Sequence, residues 1–127
     1  NMISYNRGFA DQFYQKYEYD ADNRITDVYT SNDGEIWNRD ARYSYYQHGP
    51  LARLQLGQNQ VQSLEYAYTI QGWLKSVNGD VLNPVKDMGT NGLSGDMTYA
   101  RDVMSHALRY FDQDYKPIGT KAVVSVP

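Results

Sequence analysis

The chain has 127 residues, a net charge of −3 and no cysteine, with lysine and arginine scattered rather than striped. That excludes disulfides and thiolate metal sites, and it argues against nucleic acid or an anionic membrane surface as partner. The length allows one domain at most, no apolar run approaches the ~20 residues of a membrane helix, and tyrosine is over-represented, at 13 residues against 3 phenylalanines and 2 tryptophans.

The opening NMISYNRG has neither a basic n-region nor an apolar h-region. It reads, like the closing KAVVSVP, as a cut through a longer polypeptide. From Tyr17 a unit recurs. YEYDADNRITDV from Tyr17, YSYYQHGPLARL from Tyr43 and YAYTIQGWLKSV from Tyr66 align without a gap, 26 and 23 residues apart. Tyr17, Tyr43 and Tyr66 coincide, as do Tyr19, Tyr45 and Tyr68. Next come Asn23, Gly49 and Gly72, then Ile25, Leu51 and Leu74, and finally Val28, Leu54 and Val77.

Each position has a physical meaning. Two tyrosines one residue apart lie on one face of a strand, because side chains alternate. The Asn/Gly/Gly position tolerates the positive φ of a tight turn. The aliphatics open a returning strand, and their spacing of three breaks the period of two. A β-bulge between them returns both to one face. Each copy is therefore a β-hairpin of tyrosine strand, turn and aliphatic strand.

Between the copies, Asn32-Asp33-Gly34 predicts a hairpin joining Val28–Thr30 to Glu35–Trp37. Gly57-Gln58-Asn59 turns the chain into a strand over Val61–Thr69. Successive hairpins make an antiparallel meander, and no stretch before residue 95 has helical periodicity. From Asn78 to Asp96 four glycines and one proline predict a long irregular loop. Beyond it, alternation of Met104, His106, Leu108 and Tyr110 favours a strand ending near Phe111. The competing pattern is a short helix face of Met97, Arg101, Met104 and Leu108. LRYFDQDYKPI reads as a degenerate fourth copy with Tyr110 at the second tyrosine position. The expected fold is all-β, with hairpins over residues 1–78 and an irregular loop plus a degenerate strand region over 79–127.

The unit resembles the YD repeat of the RHS family, whose signature is Tyr-x-Tyr-Asp, then Gly-Arg-Leu or similar, then an aliphatic strand. YEYDADNRITDV is close to it, with Asn23 in place of glycine. The second and third copies have Tyr46 and Thr69 in place of the aspartate. YTIQGWLKSVN and the following LNP…DMG…GL look like the version in large exported proteins of Bacteroidota. The resemblance implies a spiralling β-sheet shell, and a secreted or cell-surface bacterial protein in which this chain is a structural segment. Toxin relatives enclose a C-terminal effector, and other relatives serve in adhesion. Implied partners are flanking RHS repeats of the same protein, or a partner chain of an export or surface complex. Ala122–Val126 is the stretch expected to pair or pack with them, because an apolar, β-branched edge is a poor one to leave open. A glycan is a further implied partner.

The chemistry-bearing residues read more simply. Asp20-Ala-Asp22-Asn23 and Asn32-Asp33-Gly34-Glu35 resemble fragments of a calcium loop, but Arg24 stands where a ligand belongs. His48 and His106, the only histidines, fall short of a zinc set. Asp112 and Asp114 share one polar turn rather than facing across a cleft. DMGTNGLSGD lacks the paired Asp-Pro elements of a self-cleaving RHS core. No catalytic residue, metal or cofactor is expected, and the chain does not read as an enzyme. Trp73 takes the turn-exit place of Arg24 and Pro50, so the repeat does not require it. With Trp37 it is the candidate surface contact for a binding module.

Overall fold

The computed structural model describes residues 1–59, 61–83, 85–89 and 100–111. These form one eight-stranded antiparallel sheet whose strands lie side by side in chain order. They are β1 (Met2–Tyr5), β2 (Phe13–Tyr19), β3 (Ile25–Ser31), β4 (Asn38–Tyr45), β5 (Leu51–Leu56), β6 (Gln62–Tyr68), β7 (Leu74–Val77) and β8 (His106–Ala107). No helix occurs among the described residues.

The three tyrosine hairpins share one geometry. Tyr17 lies opposite Val28, Tyr43 opposite Leu54, and Tyr66 opposite Val77. The turns close alike. Asp20, Tyr46 and Thr69 each donate their N–H to the carbonyl of the turn-exit residue, Arg24, Pro50 or Trp73, at 2.7–2.9 Å. Each also accepts from the N–H of Asn23, Gly49 or Gly72 at 2.9–3.1 Å. Those three residues have φ of 60°, 119° and 86°. A type I turn followed by a left-handed residue is a common three-residue hairpin connection.

The spacing of three is absorbed as expected. Tyr19 pairs with Ile25 while Glu18 pairs with Asp27, which leaves Thr26 as an extra residue. Ala52 and Lys75 are extra in the same way. Ile25, Leu51 and Leu74 thus return to the face of the tyrosines, together with Val28, Leu54 and Val77.

The copies also stack in one register. Val28 pairs with Ala41, Leu54 with Leu64 and Val77 with His106. In the first two junctions a tyrosine, Tyr43 or Tyr66, follows two residues later. In the third, Leu108 stands there, and Tyr110 takes the second tyrosine position. β8 is therefore the tyrosine strand of a fourth copy, and the 78–105 segment is an insertion between copies three and four. A strand rather than a helix forms there. It is shorter than the alternation implies, although Leu108 N–H still donates to Lys75 O at 2.8 Å.

Three features differ from the sequence expectation. Met2–Tyr5 forms a strand of its own, joined to β2 by a turn with left-handed Asn6 and Gly8. Glu35–Trp37 is loop, and the returning strand starts at Asn38. Asp33 Oδ1 accepts from Ser31 Oγ and from the N–H groups of Glu35 and Ile36, each at 2.9 Å. These side-chain bonds compete with the ladder and hold the segment off it. The irregular stretch also continues past Asp96 to Ser105 among the described residues. Asp112, Asp114 and Ala122–Val126 lie outside the described residues.

The two faces of the sheet differ in an unexpected direction. One face carries the tyrosines and aliphatics. Leu51, Leu54, Leu74 and Val77 are half-buried while His48, Gln58 and Asp80 are exposed, in the expected order. Yet the only buried apolar residue among those described is Ala41, 7% exposed. The other face carries the buried polar residues of the strands: Asp27, Ser31, Gln55, Ser63, Glu65 and Ser76.

Candidate functional site

A meander alternates its ends. The turns at Asn23, Gly49 and Gly72 lie at one end of the strands. The Ser31–Trp37 loop, the Gly57 turn and the 78–105 insertion lie at the other. Trp73 and Trp37 consequently sit at opposite ends, and the structure does not assemble them into one platform. Trp37 is half-buried beside β4.

The turn end carries a row of rings linked copy to copy. The Arg24 guanidinium lies 4.6 Å from the Tyr45 ring centroid, and its Nη1 donates to Gly49 O at 3.3 Å. The Tyr45 hydroxyl donates to Ile25 O at 2.7 Å. At the third junction the same relations recur with different residues. Trp73, at the turn-exit place of Arg24, packs on Tyr110 with centroids 5.5 Å apart. The Tyr110 hydroxyl donates to Leu74 O at 2.6 Å, as Tyr45 does to Ile25. Tyr46 stacks on His48 at 5.4 Å and meets Tyr68 edge-on at 6.3 Å. Burial raises the phenol pKa values of Tyr45 and Tyr68 above the usual value, with nearby Asp20 adding to the effect at Tyr45. Trp73 remains 54% exposed, so it is both a packing residue and an accessible one.

The other end holds a polar network that the sequence did not reveal. Two charged pairs cross the copy junctions on the polar face. Arg42 Nε meets Asp27 Oδ1 at 2.8 Å, and Arg53 Nε meets Glu65 Oε1 at 2.7 Å. The insertion then folds against the second pair. Glu65, Asp87 and Asp102 each bring a carboxylate oxygen within 4.8 Å of the others. Ser63 Oγ donates to Glu65 Oε1 at 2.7 Å, and Gln62 Nε2 to Asp102 Oδ1 at 3.1 Å. Asn78, 2% exposed and left-handed, ties insertion to sheet. Its Oδ1 accepts from Glu65 N–H at 2.9 Å and its Nδ2 donates to Met104 O at 3.0 Å.

Three carboxylates at this separation repel one another unless cations or donors offset them. Arg53, Ser63 and Gln62 supply part of that offset. The oxygens are hard donors of the type calcium and magnesium take, and among the described residues this is the one group of three metal-ligating side chains so placed. The Arg53 guanidinium on Glu65 joins β5 to β6, and the insertion is tied to the sheet through Gln62 to Asp102 and Asn78 to Met104. Sequence reasoning missed it because Glu65, Asp87 and Asp102 are far apart in the chain and share no motif. Asp20-Ala-Asp22-Asn23, by contrast, is plain turn chemistry. Asp20 Oδ1 accepts from the N–H of Asp22 and Arg24 at 2.9 Å, and its Oδ2 pairs with Arg24 Nε at 2.8 Å.

Comparison with family models, with curated proteins and with solved structures finds no match. No helix of the described residues is long and apolar enough to cross a membrane.

Proposed function

We propose that the chain is a structural wall segment of a large secreted or cell-surface bacterial protein of the RHS type, whose repeats continue the sheet and enclose a space. A C-terminal effector, as in a polymorphic toxin, is the cargo such a wall would hold. The observation that carries this reading is the apolar face, whose described tyrosines and large aliphatics stay half-buried or exposed. Four copies in one register line up tyrosines and aliphatics, and among them only Ala41 is buried. A sheet this apolar on one side is ordinarily covered. Flanking repeats, or a partner chain of an export or surface complex, are the occupants that fit. The outer edge of β1 points the same way. Ile3 pairs with Gln15, two residues before Tyr17, and so holds the place of Val28, Leu54 and Val77 in its own ladder. Those residues all pair with a first tyrosine on their other side, which makes a tyrosine strand the fitting neighbour for β1.

Expressing residues 1–127 alone tests the reading. Self-association and a broad melt are expected. A soluble monomer with a sharp cooperative melt would overturn it.

A second reading, a carbohydrate- or protein-binding module, is favoured by the accessible ring of Trp73. Its test is a glycan array read together with Trp73 fluorescence. A glycan that binds and shifts that emission supports the module, and silence in both assays removes it.

A further inference from the structure

The repeats supply an internal standard against which one place stands out. On the polar face, three aligned positions cross each junction between copies. They are Glu18, Asp27 and Arg42 at the first junction, and Ser44, Arg53 and Glu65 at the second. At the third they are Ala67, Ser76 and Ala107. The first two junctions each hold an acid and a base in contact. The third has lost both and kept only small side chains.

The described residues of the insertion leave the vacated volume open. It forms the floor of a cleft of about 350 Å³, within the range of small-molecule sites. Gly79 and Met88 of the insertion overhang it, and Lys75, Lys86 and Arg109 line it. Among the described residues Asp80 is the one acid on the wall, and its contact with Arg109 is a loose 3.7 Å between exposed groups. Among the described residues neither Lys75 nor Lys86 has an ion-pair partner. Three cations against one acid make this cleft positive in a chain of net charge −3.

We infer that the cleft binds a small organic carboxylate. The ligand's anionic group stands at the junction where Asp27 and Glu65 stand at the other two. Lys86 and Arg109 bond it, and its carbon body lies against Ala67, Ala107 and Met88. Charge-assisted bonds to a carboxylate are the stronger kind, and a partly enclosed wall strengthens them further. Lys75 owes its place to the β-bulge, since the extra residue of copy three is the only charged one among Thr26, Ala52 and Lys75. The inference does not depend on the wall reading, because it concerns one junction within the chain.

Succinate is the probe, titrated into the chain at constant ionic strength with chloride as reference, and followed by amide NMR shifts. Saturable shifts are expected at Ser76, Gly79 and Ala107, with none at Asp27 or Arg53. Succinamide, which lacks the charge, should leave them unmoved. Ala107→Glu puts back the acid that Glu65 supplies one junction earlier, in the same register. It should weaken succinate by at least about tenfold, and Lys86→Gln should weaken it by a similar factor. Unchanged β2–β5 shifts confirm that each variant is folded, and if Ala107→Glu fails that check, Lys86→Gln decides alone. The inference is overturned by the absence of saturable shifts up to about 10 mM succinate. Equal affinity in the folded variants, or binding of inorganic phosphate without succinate, overturns it as well.

Discussion

Across the tyrosine hairpins, order comes from backbone ladders repeated in one register, each closed by a left-handed turn residue and a bulge. Across the 78–105 insertion no ladder forms among the described residues. Position there is set by a few side-chain hydrogen bonds: Asn78 to Glu65 and Met104, Gln62 to Asp102, and the exposed Arg101 Nη2 to Leu82 O at 3.1 Å. The ladder tolerates wide sequence change. Copies two and three lack the aspartate of copy one and still close their turns with the same two hydrogen bonds. The tether has no such redundancy, because each buried polar group needs its particular partner.

The largest expected effect follows from that contrast. Glu65→Ala removes the buried carboxylate that pairs with half-buried Arg53 and accepts from the Ser63 hydroxyl. Breaking a buried pair on one side costs about 3 kcal/mol or more. Denaturant unfolding should show that loss, and hydrogen exchange should show Asn78 and Ser76 exposed first while β2–β5 stay protected. Uniform loss across the sheet would mean that the insertion and the ladders are one cooperative unit.

Leu54→Ala comes next. It removes a half-buried side chain from the apolar face, so the cost should fall near the lower end for such truncations, about 2 kcal/mol. Gln58→Ala, at an exposed turn, should stay within about 0.5 kcal/mol of the parent. Indistinguishable melts would show that the apolar face contributes nothing to the chain by itself.

The turn residue is a smaller lever. A Cβ added at Gly49 or Gly72 meets no atom within 4 Å, so the penalty is purely one of backbone conformation. Gly49→Ala, at φ 119°, should cost about 1–2 kcal/mol. Asn23→Gly should be near neutral, since asparagine already accepts the left-handed region. If Gly49→Ala is silent, the turn geometry is not what sets the register.

The smallest effect is electrostatic. The Asp20 carboxyl is held below its ordinary value near 3.8, mainly by the Arg24 N–H, with further lowering from the Arg24 side chain and the Asp22 N–H. A depressed folded-state pKa means stability that is fully present above the ordinary carboxylate value and lost as pH falls through the folded one. The melting-temperature gap between the parent and Asp20→Asn should therefore be constant at neutral pH and close only under acid. A gap that never closes as the solution is acidified would assign it to something other than the Asp20 charge.

How much of this could be read in advance depended on whether the signal was local. Tyrosine pairs, turn residues and the bulge were legible because the repeat states each of them three times, and the aliphatic spacing of three has one simple structural remedy. The fourth copy was legible through Tyr110 alone, since Leu108 replaces the first tyrosine and the insertion hides the interval. The Ser31–Trp37 loop was misread because Asp33 bonds locally in place of the ladder, and a local competition of that sort looks like an ordinary Asn-Asp-Gly turn. β1 was missed because Met2–Tyr5 is too short to show a period. The Glu65–Asp87–Asp102 cluster was illegible in principle: its members meet only after the insertion has folded back on β6. Nor did composition warn that the polar face would be the better buried one.

The extra residue at Thr26, Ala52 and Lys75 has an effect beyond its own hairpin. A bulge bends its strand and increases the local right-handed twist. Here one such bend recurs in each copy on the return strand near the turn end, beside a single further irregularity at Asp40 of β4. A kink repeated in the same sense favours curling of a ribbon, much as a strip shortened along one margin rolls up. The lengths that vary, at the 31–37 loop, the Gly57 turn and the 78–105 insertion, all fall at the opposite margin. Curvature and decoration are thereby separated: evolution can lengthen or rewrite one rim without changing how tightly the ribbon winds.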